Sequence, residues 1–156
     1  MPKTIDNDIM FIDQSFGFQT AYSEGVESIR AAHIEARGAP HGVGLVKLMG
    51  RHSGFIAAYA TLASGRVHCC LVPEIEFSLD ALMSALRERL EERNHAVIVV
   101  GEGAGQYLLA AEGGRDASGN PKLGDIGVFR RDRIRAHSRT AGVPVDVKYI
   151  DPSYTI

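Results

Sequence analysis

The chain predicts an α/β fold: three layers, α/β/α, around a largely parallel sheet. Short β-leaning apolar runs alternate with helix-like blocks, and that alternation implies a parallel sheet with helices on both faces. Glycine and proline close most of the runs, so the blocks are separate elements. The 156 residues are 45% hydrophobic and 23% charged, which suits one globular domain, 1–156, with a sizeable core.

The first block is a helix capped by Ser15 and running to about Arg37. Its apolar positions Tyr22, Val26, Ile29 and Ala32 recur at three- and four-residue steps, and Gly38, Pro40 and Gly42 end it. Val43 to Met49 is a strand closed by Gly50. Gly54 to Ser64 is a helix that is apolar nearly all round, so it is expected to be buried. Val67 to Val72 is the next strand, stopped by Pro73. Ser78 is a good N-cap for a helix over Leu79 to Arg93, with Leu79, Leu82, Met83, Leu86 and Leu90 on one stripe and solvated charge opposite. His95 to Val100 is a strand broken by the glycine-rich Gly101 to Gly105. Residues 112–125 are turn-rich and expected to be an exposed loop. Ile126 to His137 is expected to be a helix with an arginine-rich surface, and Val143 to Ile150 a last strand.

Composition excludes several classes of function. Seventeen basic residues against nineteen acidic ones give a net charge of −2, so there is no large basic field for nucleic acid. The apolar runs are too short to span a membrane, and the N-terminus carries no apolar signal core. Cys69 and Cys70 are adjacent, which disfavours a disulfide between them, and too few for a zinc site. Their apolar surroundings make them buried strand thiols in a reducing, cytoplasmic setting. The histidines show no ligand pair at helical spacing.

Ligands of open α/β sheets sit at the carboxyl ends of strands. Met49-Gly50-Arg51, Pro73-Glu74 and Gly101-Glu102 all fall there. The string Lys3-Thr4-Ile5-Asp6-Asn7-Asp8 adds an ammonium, a hydroxyl and two carboxylates within six residues. Asp6 and Asp8 project from one side of an extended loop. One can take a proton from a hydroxyl nucleophile while the other lies near a metal-bound phosphate, with Lys3 neutralising phosphate charge. The bland alternative is a polar turn with an Asx hydrogen bond. Arg51 is either a phosphate fork or a surface arginine. Glu74 either accepts sugar hydroxyls or caps its own neighbours. Gly101 to Gly105 has a superficial likeness to a dinucleotide loop, but it lacks the last glycine of that fingerprint and follows the third strand.

In order and spacing, over all 156 residues, these strings resemble the phosphofructokinase family. Pro2-Lys3-Thr4-Ile5-Asp6-Asn7-Asp8 is similar to its catalytic loop. Met49-Gly50-Arg51 with Ser53-Gly54-Phe55 is similar to its strand-to-helix substrate turn, and Val72-Pro73-Glu74 with Phe77 to its sugar-binding glutamate segment. Glu102-Gly103-Ala104-Gly105-Gln106 and Lys148-Tyr149-Ile150-Asp151-Pro152-Ser153-Tyr154 resemble the branch holding plant, trypanosomatid and many bacterial enzymes.

The resemblance implies phosphoryl transfer from ATP or pyrophosphate, with Mg2+, to the 1-hydroxyl of fructose 6-phosphate. It implies Asp6 as proton acceptor, Asp8 near the magnesium, and Arg51 as a cationic clamp on the transferring group. Lys3, Thr4, Ile5, Met49, Gly50 and Glu74 are implied around the sugar and the phosphoryl, with Lys148 and Tyr154 on the 6-phosphate. A homo-oligomer is implied as well, with no nucleic-acid or membrane partner. The family's donor-binding half precedes the catalytic loop, and a further arginine follows the final segment. The 156 residues are therefore expected to be a central portion, holding much of the sugar site and inactive alone. A non-catalytic sugar-phosphate-binding remnant is the alternative, and a nucleotide-cofactor oxidoreductase a distant third.

Overall fold

A computed structural model of the protein describes residues 3–109, 123–141 and 144–156. The elements run α1 (Phe18–Arg37), β1 (Gly42–Leu48), α2 (Phe55–Ser64), β2 (Cys69–Leu71), α3 (Leu79–Arg93), β3 (His95–Gly101), a short 3-10 turn (Gln106–Leu108), α4 (Ile126–Ala141) and β4 (Asp146–Ile150). The strands form one sheet in the order β2-β3-β1-β4. Every pairing is parallel, with Gly42 opposite His95 and Leu48 opposite Gly101 along β1 and β3, and Val46 opposite Ile150 at the end of β4. This is the predicted parallel α/β architecture.

The sheet has a core on each face. Val43, Leu45, Ile98 and Val100 point to one side and pack with Leu82, Met83, Leu86 and Leu90 of α3 and Ile126 and Ile134 of α4. Val46, Leu48, Val97 and Val99 point to the other, where they meet Phe18, Ile29, Ile56 and Ala57 of α1 and α2. A strand covered on both faces must be apolar at successive positions, which is why β1 and β3 read as continuous runs. Each fully buried Leu or Ile here contributes roughly 1.5–3 kcal/mol of transfer free energy. The helix α3 begins as its sequence predicts, with Ser78 Oγ accepting the Ala81 amide at 3.4 Å.

Several expectations are corrected. The helix α1 begins at Phe18 behind Gly17, which offers no side-chain cap. Ser15 does not cap it because its hydroxyl donates to the Thr4 carbonyl at 2.5 Å. Its buried stripe is Phe18, Ala21, Gly25, Ile29, Ala32 and Ala36, with Tyr22 and Val26 at the margin. Small residues take the centre because α1 lies close on β1: a Cβ at Gly44 would stand 2.7 Å from the Ala32 carbonyl. The helix α2 is not buried all round. Ile56, Ala57 and Ala60 face inward, while Phe55, Tyr59 and Leu62 are exposed, Leu62 by 79%. An outer-layer helix has one face for the core, and the apolar residues opposite hid its amphipathicity.

The edge strand β2 covers Cys69–Leu71 rather than Val67 to Val72, because it pairs with β3 alone. Both thiols are half-buried rather than fully buried, and burial raises their pKa values, which suits unreactive strand cysteines. The helix α4 extends to Ala141, and its arginines are not all on the surface: Arg130 is 0% exposed. The Arg130 guanidinium lies 4.3 Å from the centre of the Phe77 ring, and burial lowers its pKa to about 10. The expected loop at 112–125 lies outside the described residues except for 123–125. So does Val143 at the expected start of the last strand, which begins at Asp146. No helix among the described residues is long and apolar enough to cross a membrane.

Candidate active site

Because all the strands are parallel, the segments after β1, β2, β3 and β4 leave the same edge of the sheet. The loop from Lys3 to Phe16 comes to that edge and is braced internally. Lys3 bridges Phe16 in parallel. Asn7 is buried in the left-handed region at φ 58°, its Oδ1 accepts the Ser15 amide at 2.7 Å, and its Nδ2 donates to the Asp13 carbonyl at 3.3 Å. Asparagine tolerates that backbone region better than most residues. Thr4 Oγ1 accepts the Asp6 amide at 3.3 Å. The string is thus a braced polar turn whose local side-chain-to-backbone hydrogen bond is made by Thr4.

The loop is tied to the β1–α2 turn. Ser53 Oγ donates to the Asp6 carbonyl at 3.1 Å, and the Ser53 amide donates back to the Gly50 carbonyl at 2.7 Å. Gly50 sits at φ 137°, and a side chain there would collide with the Ser53 carbonyl. The following Arg51 is itself left-handed, at φ 49°. Glu102, just past β3, secures this turn: its Oε1 accepts the Arg51 amide at 2.7 Å and the Gly50 amide at 3.3 Å. The Glu102 amide in turn donates to the Leu48 carbonyl at 2.9 Å. Glu74, after β2, accepts the Gly54 amide at 2.7 Å, immediately beside Ser53.

Asp6 is the electrostatic centre. Burial raises its pKa, Asp8 and Glu102 raise it further by like-charge repulsion, and Arg51 pulls it down. Three carboxylates and one guanidinium therefore act on one another at the carboxyl edge.

The sequence-predicted residues divide accordingly. Thr4, Asp6, Asp8, Gly50, Arg51 and Glu74 are brought together through Ser53 and Glu102. Lys3 and Asp8 are exposed, and Met49 is half-buried. The Ile5 side chain packs into the core under α1 and α2, leaving its backbone for any ligand. Lys148 is exposed and leans 3.4 Å from Asp146, toward the amino end of β4 and away from this edge. Tyr154 leaves the carboxyl edge after β4 and is fully exposed. Glu102, Ser53 and Asn7 lie in the motif strings, but the sequence assigns none of them a role of its own. The sequence places Gly101-Glu102 at a strand end, as it does Pro73-Glu74, but nothing in it says that the Glu102 carboxylate holds the Gly50 and Arg51 amides. Gly105 opens a three-residue 3-10 turn, not a helix, so the loop lacks the helix N-terminus that a dinucleotide pyrophosphate uses. Among the described residues no group of three or more His, Cys, Asp or Glu side chains is arranged to hold a metal.

The phosphofructokinase family model matches residues 1–141. The chain belongs to the phosphofructokinase family. Among its relatives, the ATP-dependent 6-phosphofructokinase of Amycolatopsis methanolica is 51% identical over the whole chain, which covers 36% of that protein. ATP-dependent 6-phosphofructokinase 5, chloroplastic, of Arabidopsis thaliana is 50% identical, and the chain covers 30% of it. The enzyme of Trypanosoma cruzi is 51% identical, with 33% covered. The chain therefore spans about a third of the length of these phosphofructokinases. The fold agrees with the solved pyrophosphate-dependent phosphofructokinase of Marinobacter aquaeolei, with a TM-score of 0.69 at 21% identity over 99% of this chain and 36% of that one.

Proposed function

We propose that the complete protein is a 6-phosphofructokinase, transferring a phosphoryl group from ATP or pyrophosphate to the 1-hydroxyl of D-fructose 6-phosphate, a step of glycolysis. The observation that carries this reading is the setting of Asp6, half-buried beside Asp8, Glu102 and Arg51, with its pKa raised and its loop tethered by Ser53. A carboxylate made more basic in this way is better matched to accepting a proton near neutral pH.

In this reading Asp6 takes the proton of the 1-hydroxyl as its oxygen bonds to the transferring phosphorus. The bond from that phosphorus to the departing ADP or phosphate breaks. Arg51 stabilises charge on the phosphoryl oxygens, and Lys3 balances the donor phosphates. Thr4, the Ile5 backbone, Met49 and Gly50 line the sugar and phosphoryl positions. Glu102 joins Glu74 as an acceptor for sugar hydroxyls, because one of its oxygens is left over from the Gly50 and Arg51 amides. Tyr154 serves the 6-phosphate. Lys148, exposed and turned from its own edge, is open to a neighbouring copy in a homo-oligomer. The names of the relatives at about half identity favour ATP as donor.

The carboxylates suit a magnesium ion held mainly by donor phosphates, since such an ion takes one or two carboxylates rather than a protein cage. Asp8, with Asp6 near it, would hold that ion, which would supply charge neutralisation on the phosphates. A cytoplasmic location accords with the glycolytic role.

The test is a coupled assay on the complete protein with fructose 6-phosphate, magnesium and each donor in turn. Formation of fructose 1,6-bisphosphate with ATP or with pyrophosphate is expected. Absence of product with both donors contradicts the proposal.

A further inference from the structure

One ion pair couples the strand that leads to Met49-Gly50-Arg51 to the turn that carries Tyr154. Lys47 lies on β1 two residues before Met49, and its Nζ is 2.6 Å from Asp151 Oδ2. The lysine side chain is only 14% exposed and the aspartate 30%. The other oxygen of Asp151 accepts from both the amide and the hydroxyl of Ser153, the amide at 3.1 Å. A single carboxylate thus faces β1 with one oxygen and folds its own turn with the other. The turn continues as a compact cap: the Thr155 amide, the Thr155 hydroxyl and the Ile156 amide all donate to the Pro152 carbonyl, at 2.8, 2.9 and 3.2 Å. Pro152 is buried and Ile156 packs on the core under α1 and α2. Burial alone would raise the Asp151 carboxyl, but the hydrogen bonds from Lys47 and Ser153 and the Lys47 charge outweigh it and keep its pKa below the usual carboxylate value.

A lysine largely removed from water on a central strand is costly unless it is paired. The stability that this location forgoes points to a role in specifying geometry. We propose that Lys47 and Asp151 are positioning residues for sugar-phosphate binding, holding the 151–156 turn in register with the Met49-Gly50-Arg51 turn so that Tyr154 is presented over the same edge. Neither residue touches substrate in this account. The inference rests on the sugar-phosphate reading above and deepens it by naming what orients that site.

The test uses the complete protein with the single variants Lys47→Met and Asp151→Asn, the double variant, and the charge-conserving Lys47→Arg. KM for fructose 6-phosphate is expected to rise about tenfold in each single variant, the scale of one charge-assisted hydrogen bond, with kcat within about twofold and the donor KM unchanged. The double variant should be no worse than the weaker single one, because the two residues act as a unit. Lys47→Arg keeps the charge and donors for Asp151 and should retain most of the wild-type KM, and a tenfold rise there like that of Lys47→Met would overturn the inference. A wild-type KM in both single variants, with only a lowered melting temperature, overturns the inference and leaves the kinase reading intact. Additive effects in the double variant, or equal losses in donor and sugar KM, also overturn it. A wild-type protein that neither binds nor phosphorylates fructose 6-phosphate removes the underlying reading, and the inference with it.

Discussion

Glu102 Oε1 lies 2.7 Å from the amide of Arg51, so a carboxylate at the end of β3 holds the turn that ends β1. The same carboxylate is one of the charges that raise the Asp6 pKa, after burial and Asp8. Structure and electrostatics of the site therefore meet at one residue.

Glu102→Gln separates the two contributions. The amide oxygen still accepts the Gly50 and Arg51 amides, but the negative charge is gone and Asp6 becomes more acidic. Asp6 must be ionised to accept a proton, so activity is lost as pH falls through its pKa. In the Gln variant that acid limb should move to lower pH, as a pH–rate profile on the complete protein would read. Glu102→Ala leaves both amides without this acceptor and should cost about 1–3 kcal/mol of stability as well. An unmoved acid limb in Glu102→Gln would argue that Glu102 does not act on Asp6.

Gly103 is needed for close approach. A Cβ there would collide with the Arg51 carbonyl, which is backbone and cannot swing aside as a flexible side chain can. Gly103→Ala should destabilise the protein by about 1–3 kcal/mol, the scale of overpacking, and lower kcat/KM through the displaced Arg51. Thermal denaturation and steady-state kinetics check this together. Wild-type values in both would show that the loop relaxes without consequence.

The strands and their parallel sheet were legible in the sequence, because apolar runs such as Val97 to Val100 suit a sheet covered on both faces, whereas the order β2-β3-β1-β4 was not. The burial of α2 was not legible: Phe55, Tyr59 and Leu62 look like core residues by type, and only the layer arrangement shows them outside. Ser15 looked like a helix cap because capping serine is common, while its actual partner, the Thr4 carbonyl, is eleven residues away and set by tertiary folding. The site was legible as separate strings. What could not be read was their cross-links, Ser53 to Asp6 and Glu102 to Arg51, which join residues 47 and 51 positions apart. Arg130 is the sharpest miss, since an arginine among arginines on a helix reads as surface and here lies beneath Phe77.

His68 gives a pH prediction at the opposite, amino side of the sheet. Its Nδ1 accepts the Val97 amide at 2.7 Å, a bond that only the neutral ring can make, and its pKa is lowered to about 4 by burial first, then by Arg89 and His95, with His33 adding a smaller lowering. The unfolded chain binds a proton at His68 near the ordinary value of 6.5, and the folded chain does not until about pH 4. Stability from this group is therefore complete above about pH 6.5 and is lost as pH falls toward 4. Protection of the Val97 amide from hydrogen exchange, corrected for intrinsic rates, should fall over that window. In His68→Asn, which keeps an acceptor but does not titrate, the fall should be flatter. Equal pH dependence in both proteins would assign the effect elsewhere.

The central claim is that Asp6 is the proton acceptor for transfer to the 1-hydroxyl of fructose 6-phosphate. Its carbonyl, not its carboxylate, receives the Ser53 hydrogen bond, so Asp6→Ala removes the base and leaves the loop tethered. The decisive measurement is kcat and fructose 6-phosphate affinity for Asp6→Ala in the complete protein. A base acts in the transition state, so kcat should fall by about 10²- to 10⁴-fold with little change in affinity. A kcat near the wild-type value would contradict the account.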